Sequence, residues 1–151
     1  MKKGYSETKA YWVNKWRCQP EYADHLNRGK LIDGTKAMIN GFSPLLEGAK
    51  SFCELGLGNG RNIHYFHEQF PAWEYQGNDI NPAVHKAIRS QYPDILEYTD
   101  IKINDTLEYL KVCECADVIF SSDHLMHIPG SVIVEVCALM ADKAQSLRRL
   151  A

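Results

Sequence analysis

The stretch Ser51-Phe-Cys-Glu-Leu-Gly-Leu-Gly-Asn-Gly60 decides the fold class. Its first half is a short apolar run that ends abruptly at glycines, the profile of a buried strand. Its second half is a glycine turn. A chain that turns this sharply, with a ligand against its backbone, has no room for a Cβ. Residues Asn59 to Phe70 then read as a helix, with Ile63, Phe66 and Phe70 on one face and Pro71 as its stop. A strand, a glycine turn and a helix in succession make a nucleotide-type ligand site, because the exposed N–H groups of the helix start favour a carboxylate or a ribose oxygen nearby.

The same alternation continues outward. Trp73 to Asn78 reads as a second strand, closed by the acid Asp79. Asn81-Pro82 starts a helix carrying Val84, Ala87 and Ile88, since asparagine caps and proline fits the first helical position. Asp94 to Ile101 is expected as a third strand and Ala116 to Ser121 as a fourth. Gly130 opens a last helix with Ile133, Cys137, Met140, Ala144 and Leu147 at spacings of three and four. Before the glycine turn, Glu7 to Trp16 and Gly29 to Ile39 read as helices, and Asn40 to Lys50 as a loop. The fold class is therefore α/β: a Rossmann-like parallel sheet with helices on both faces and an N-terminal helical extension. Residues 1–44 form the extension and residues 45–151 the sheet domain.

Composition narrows the function. Of 151 residues, 45% are hydrophobic and 24% charged, the mix of a globular protein. Seventeen basic against nineteen acidic residues give a net charge of −2, which provides no footprint for gripping a phosphate backbone. No apolar run approaches the ~20 residues that span a bilayer. The five cysteines are odd in number and scattered, which suggests reduced thiols and a cytoplasmic setting.

The turn reads G-x-G-x-G, not the G-x-G-x-x-G that cradles a pyrophosphate, and this argues against a nicotinamide cofactor. Asp79, at the end of the second strand, can accept both hydroxyls of a ribose. His124 and His127 follow the fourth strand, where an open α/β sheet places its crevice. Either histidine could take a proton from a substrate hydroxyl, with Asp123 as an alternative base; either could equally be a packing or surface residue. His64 and His67 share a helix at i, i+3, but no third ligand lies in reach, so they are read as solvent-facing and no metal is expected. Cys113-Glu-Cys115 is not a zinc spacing.

Three segments resemble the class I S-adenosylmethionine-dependent methyltransferases. Phe52 to Gly60 is similar to their first motif, Gly77-Asn-Asp-Ile-Asn-Pro82 to their second, and Ala116 to Pro129 to their fourth strand and following loop. The likeness covers about residues 45 to 140. Around Asn81-Pro82 and His127-Ile128-Pro129 it is nearest to small methylases associated with nonulosonic-sugar biosynthesis, including pseudaminic acid; Trp12 and Tyr22 to Asn27 share in that likeness.

The resemblance implies S-adenosylmethionine as cofactor and roles by position. Glu54 would support the methionine amino group, and Gly56, Gly58 and Gly60 would line the methionine and ribose. Asp79 would hold the ribose hydroxyls, with Ile80 against the adenine. Asp100, followed by Ile101, would face the adenine amino group, with Asp105 as its rival. Ser121 and Ser122 would sit beside the sulfonium. Tyr11, Trp12 and Trp16 would either cover the site as a lid or anchor their helix to the core. The chain has Ser121-Ser-Asp-His124 where amino-methylating enzymes carry Asn/Asp-Pro-Pro-aromatic, and it lacks the Pro-Cys nucleophile used on cytosine. A small-molecule acceptor is the expectation, with neither nucleic acid nor membrane as partner. The alternative is a binding module that keeps the cofactor and lacks the chemistry. Ala151 follows one helix after the fourth strand. Against the family's further strands this implies a shortened form, strands read otherwise, or a homo-oligomer that covers the fourth-strand edge.

Overall fold

The computed structural model describes residues 4–18 and 29–144. Its centre is a parallel sheet in the order β3-β2-β1-β4, built from β1 (Ser51–Leu55), β2 (Glu74–Asp79), β3 (Thr99–Ile103) and β4 (Val118–Phe120). The helices are α1 (Tyr5–Cys18), α2 (Gly29–Phe42), α3 (Arg61–Gln69), α4 (Val84–Gln91), α5 (Ile95–Tyr98), α6 (Thr106–Val112) and α7 (Gly130–Lys143). The α/β, Rossmann-like expectation holds, and so does the N-terminal helical extension.

Strand alternation divides the core in two. Phe52 turns to one face, where Ile63 and Phe66 of α3, Val84 and Ile88 of α4, and Ile95 of α5 cover it. Cys53 and Leu55 turn to the other, against Leu107 and Leu110 of α6 and Val136 of α7. Each fully buried Phe, Leu or Ile contributes about 1.5–3 kcal/mol to folding. Asp117 fastens β4 to β1, its carboxylate accepting from the Lys50 N–H at 2.8 Å and the Ser51 hydroxyl at 3.1 Å.

Several expectations fail, each for a local reason. Asp94 to Tyr98 is not strand: the turn at Pro93 leads into α5, which buries Ile95, and β3 begins only at Thr99. The helix α6 escaped the sequence reading, although Asp105 is its N-cap, accepting from the Leu107 and Glu108 N–H groups. The loop expected from Asn40 is the last turn of α2 followed by a 3-10 turn, Ser43–Leu46. Asn81 caps by accepting the Ala83 N–H at 2.8 Å, but regular helix starts at Val84. On α7 it is Val136 that is buried, while Cys137 is exposed. Leu147, the Trp16 side chain and Tyr22 to Asn27 lie outside the described residues and side chains.

Among the described residues, β4 pairs only with β1, apart from a parallel bridge between Ala116 and Ala144 after α7. None of the described helices is long and apolar enough to cross a membrane.

Candidate functional site

The carboxyl ends of all four strands open on one cavity of about 160 Å³. The strand order reverses between β1 and β4, which is where an open α/β sheet leaves its crevice. The glycine turn supplies Gly56 and Gly58, β2 supplies Asp79 and Ile80, and the β3–α6 junction supplies Asp105 and Thr106. The loop after β4 adds Ser122, Asp123, His124, His127 and Ile128. Helix α1 roofs the cavity with Tyr5, Thr8, Lys9 and Trp12.

The turn needs its glycines. Gly56, Gly58 and Gly60 have φ of 79°, 57° and 81°, in the left-handed region that other residues resist. Its far side is tied to β2: Asp79 accepts the Gly58 N–H at 2.9 Å with one carboxylate oxygen and the Asn81 N–H at 2.8 Å with the other. Burial pushes Asp79 up to about 6, against the pull of these N–H groups. It is therefore ionised at neutral pH, and each oxygen keeps a lone pair that can accept a hydroxyl.

Glu54 is completely buried behind the turn. The Asn62 side-chain N–H donates to its Oε1 at 2.6 Å, while Oε2 is buried without a partner. Burial pushes this carboxyl up to about 8; Asn62 and Arg61 oppose the shift and Asp79 adds to it.

Asp105, weighed against Asp100, is the acid at the cavity. Asp100 is the second residue of β3, exposed and paired with Lys102 at 2.9 Å. The expectation for Asp100 and Ile101 is thus corrected. The strand starts five residues later than Asp94 suggested, and its cavity end falls after Ile103, so Ile101 pairs with Gly77 and packs, half-buried, against the Phe52 core layer. Asp105 receives the Tyr5 hydroxyl at 2.7 Å and the Lys9 ammonium at 2.6 Å. Burial works against its ionisation, but Lys9 and Tyr5 prevail and hold it below the usual carboxylate range. The sequence reading missed the roof contacts of Tyr5, Thr8 and Lys9; their i, i+3, i+4 spacing was the available signal.

The loop after β4 separates its two histidines. His124 shares a hydrogen bond of 2.6 Å between Nε2 and the Thr106 hydroxyl. Burial, then the charge of His127, pushes it down to about 4, so it is neutral at physiological pH. His127 is half-buried, with its ring 4.2 Å from that of Trp12. Burial and then Lys15 hold it below the usual histidine range, and Asp123 opposes them. Asp123 is exposed and strained, with φ of 56°. Ser121 turns away and donates to the Leu55 carbonyl at 3.3 Å, leaving Ser122 on the cavity wall.

His64 and His67 are not the solvent-facing pair expected. His64 packs on Tyr92 at 4.5 Å and lies 3.5 Å from Asp94, and His67 stacks on Tyr98 at 3.7 Å. Tyr11 stands edge-on to Trp12 at 5.2 Å.

Solved structures share this architecture. A magnesium protoporphyrin IX methyltransferase from Synechocystis PCC 6803 with bound SAH matches with TM-score 0.68 at 15% identity, over 91% of this chain and 68% of its own. The chain has the class I S-adenosylmethionine-dependent methyltransferase fold. A SAM-dependent methyltransferase from Archaeoglobus fulgidus matches at TM-score 0.58 and 20% identity, over 76% of this chain and 48% of its own. A SAM-bound amino pentose methyltransferase from Micromonospora echinaspora matches at 0.66 and 17%, over 84% and 52%. The chain thus spans about half to two thirds of these methyltransferases. No family model and no curated protein matches it.

Within this fold the cavity's chemistry fits the cofactor that the neighbours bind. It offers a glycine turn open to a ligand and an ionised carboxylate on its wall at Asp79, and behind the turn, off the cavity wall, Glu54 Oε2 is buried with no hydrogen-bond partner.

Proposed function

We propose that this chain binds S-adenosylmethionine and transfers its methyl group to a small acceptor bearing a hydroxyl or carboxyl group, of the sugar or acid type. The observation that carries this reading is the ionised Asp79, which is joined to the Gly58 N–H and shares one cavity with Asp105 and His127. Bound S-adenosylmethionine supplies an electrophilic methyl on a good leaving group, so alignment provides much of the rate.

The chain's own residues have the following parts. Asp79 accepts the ribose hydroxyls, and Ile80 offers an apolar wall to the adenine. Asp105, at the end of β3, takes the place facing the adenine amino group. Glu54 offers Oε2 toward the methionine amino group, directly or through water. His127, neutral and half-buried beside Trp12, takes the acceptor's proton. His124 is a poorer base, since it is harder to protonate and its Nε2 is engaged by Thr106. A sugar-type acceptor also agrees with the likeness to the amino pentose methyltransferase.

A second reading, a cofactor-binding module without turnover, has support in one observation. Among the described residues the sheet stops at β4, so this flank of the cleft is built by a single loop. A second copy of the chain against the β4 edge would complete it.

Calorimetric titration with S-adenosylmethionine and, separately, with NAD tests the cofactor. Micromolar binding of the first alone is expected, and Asp79→Ala should weaken it at least tenfold. Binding of NAD alone, or of neither, overturns the proposal. His127→Gln should leave cofactor binding within twofold of the parent and abolish transfer; full transfer in that variant removes His127 as the base.

A further inference from the structure

Four side chains, all buried, form a chain of hydrogen bonds behind the glycine turn. The Arg61 Nε–H donates to the Thr35 hydroxyl oxygen at 3.0 Å. The Thr35 hydroxyl donates to Asn62 Oδ1 at 3.2 Å. The Asn62 Nδ2–H donates to Glu54 Oε1 at 2.6 Å. Thr35 lies on α2, outside the sheet domain, Arg61 and Asn62 on the first turn of α3, and Glu54 on β1.

The Arg61 end of this chain is fixed by chemistry. A guanidinium can only donate, so the Thr35 oxygen must accept from Arg61. The single hydroxyl proton is then free for an acceptor, and the amide oxygen of Asn62 takes it. An amide whose oxygen is fixed has its N–H₂ end fixed as well, and that end lies on the carboxylate. We propose that Thr35 is a positioning residue for Glu54. Its hydroxyl orients the Asn62 amide, which aims the carboxylate so that Oε2 is left as the open acceptor. The N-terminal extension thereby takes part in the cofactor site without touching the cavity.

The alternative is that Thr35 merely fills space between α2 and α3. A methyl group would serve that purpose equally well, and the two cases separate on valine. Thr35→Val keeps the shape, removes this acceptor of the Arg61 Nε–H and frees the amide to flip. With the flip, a carbonyl oxygen would face the carboxylate, and the anion would lose the Asn62 donor. The charged groups acting on Glu54 are Arg61 from α3 and Asp79 from β2, and the substitution removes the charge of neither.

The inference rests on the proposed cofactor only for its effect on binding; the effect on Glu54 itself is independent of it. The first experiment follows the Glu54 carboxyl by carbon-13 NMR through a pH titration of the ligand-free chain. In the parent protein the Asn62 side-chain N–H₂ signals should shift with the same midpoint as the carboxyl. In Thr35→Val the midpoint should rise by half a pH unit or more, on the scale of one lost hydrogen bond. Thr35→Ser should restore it. The second experiment measures S-adenosylmethionine affinity in a double-mutant cycle. Thr35→Val should weaken binding about five- to tenfold in the parent background and leave it unchanged in Glu54→Gln.

Asn62 signals that ignore the Glu54 titration overturn the proposal, even if every variant at position 35 fails to fold. An unmoved midpoint in Thr35→Val, or a loss of affinity that persists in Glu54→Gln, overturns it too. A parent chain that does not bind the cofactor defeats the functional reading instead, and the NMR titration still decides the role of Thr35.

Discussion

At Gly56 two constraints coincide. Its backbone φ is 79°, and a Cβ placed there would stand 2.5 Å from Cγ of the His124 ring. At Gly48 φ is 81° but the space is open, so only the first constraint applies. Gly48→Ala is therefore expected to cost about 1–2 kcal/mol through the left-handed backbone alone. Gly56→Ala should cost more, because it also drives His124 off Thr106, and it should abolish cofactor binding. Urea denaturation and calorimetry of both variants check this; equal losses in the two would mean that His124 can move aside freely. Asp79 gives a second expectation at this scale. Burial raises it to about 6, and it must be ionised to accept two hydroxyls. Affinity for S-adenosylmethionine should hold above that pH and fall as the pH drops through 6. Asp79→Asn should bind weakly at every pH, and a parent profile flat from pH 5 to 7 would show that the carboxylate is not the ribose acceptor.

At the scale of elements, α1 is the roof and Asp105 is its latch. The cavity beneath it, about 160 Å³, is smaller than the ~300–1,000 Å³ usual for small-molecule sites. Lifting the roof to admit a larger ligand would break the bonds from Lys9 and Tyr5 to Asp105. Lys9→Met removes the ion pair and keeps the stem packed. Stopped-flow mixing with S-adenosylmethionine should show association roughly three- to tenfold faster, with a stability loss of no more than about 1 kcal/mol for a pair one-third exposed on the lysine side. Unchanged or slower association would mean that α1 does not gate entry. These elements also show how much the sequence discloses. The glycine turn, β1, β2 and Asp79 were readable, because a run of apolar residues meeting glycines and a terminal acid leaves few alternatives. The start of β3 was not. Ile95 and Leu96 suit a strand or a helix equally, and only the packing of Ile95 on the Phe52 face chose the helix. That one shift moved the predicted site acid from Asp105 to Asp100. The bond of Lys9 to Asp105 was hidden for another reason: the spacing of Tyr5, Thr8 and Lys9 marks a shared helix face, but the partner lies 96 residues away.

Across the whole molecule the two core layers bury ionisable groups as well as apolar ones, and the balance of those groups sets how stability responds to pH. Glu54 and Asp79 have folded pKa values above their ordinary ones, near 8 and 6. The folded chain therefore holds protons that the unfolded chain would release, and stability declines as pH rises from their ordinary values to the folded ones. His124 acts in the opposite sense. Its folded value near 4 means that the unfolded chain takes up a proton first, so stability is lost as pH falls from about 6.5 toward 4. Asp105, held low by Lys9 and Tyr5, is likewise a loss on the acid side, below about 4. Between about pH 4.5 and 6 the two carboxyls outweigh His124 by one proton, so stability should decline as pH rises, and from 6 to 6.5 Glu54 and His124 nearly cancel. Above about pH 7 His124 and Asp79 are largely titrated in both states, and among these groups Glu54 dominates. Stability should then fall by on the order of 2 kcal/mol between pH 6.5 and 8.5. Glu54→Gln cannot ionise, keeps an acceptor for Asn62, and should abolish that slope. Urea midpoints of the two proteins at pH 6.5, 7.5 and 8.5 decide the matter. A parent slope that survives in Glu54→Gln would place the titrating group elsewhere. Bound S-adenosylmethionine should flatten the parent's slope as well, because an ammonium near Oε2 lowers the carboxyl toward its ordinary value. The same denaturation series, run with and without cofactor, therefore reports whether the buried acid and the ligand meet.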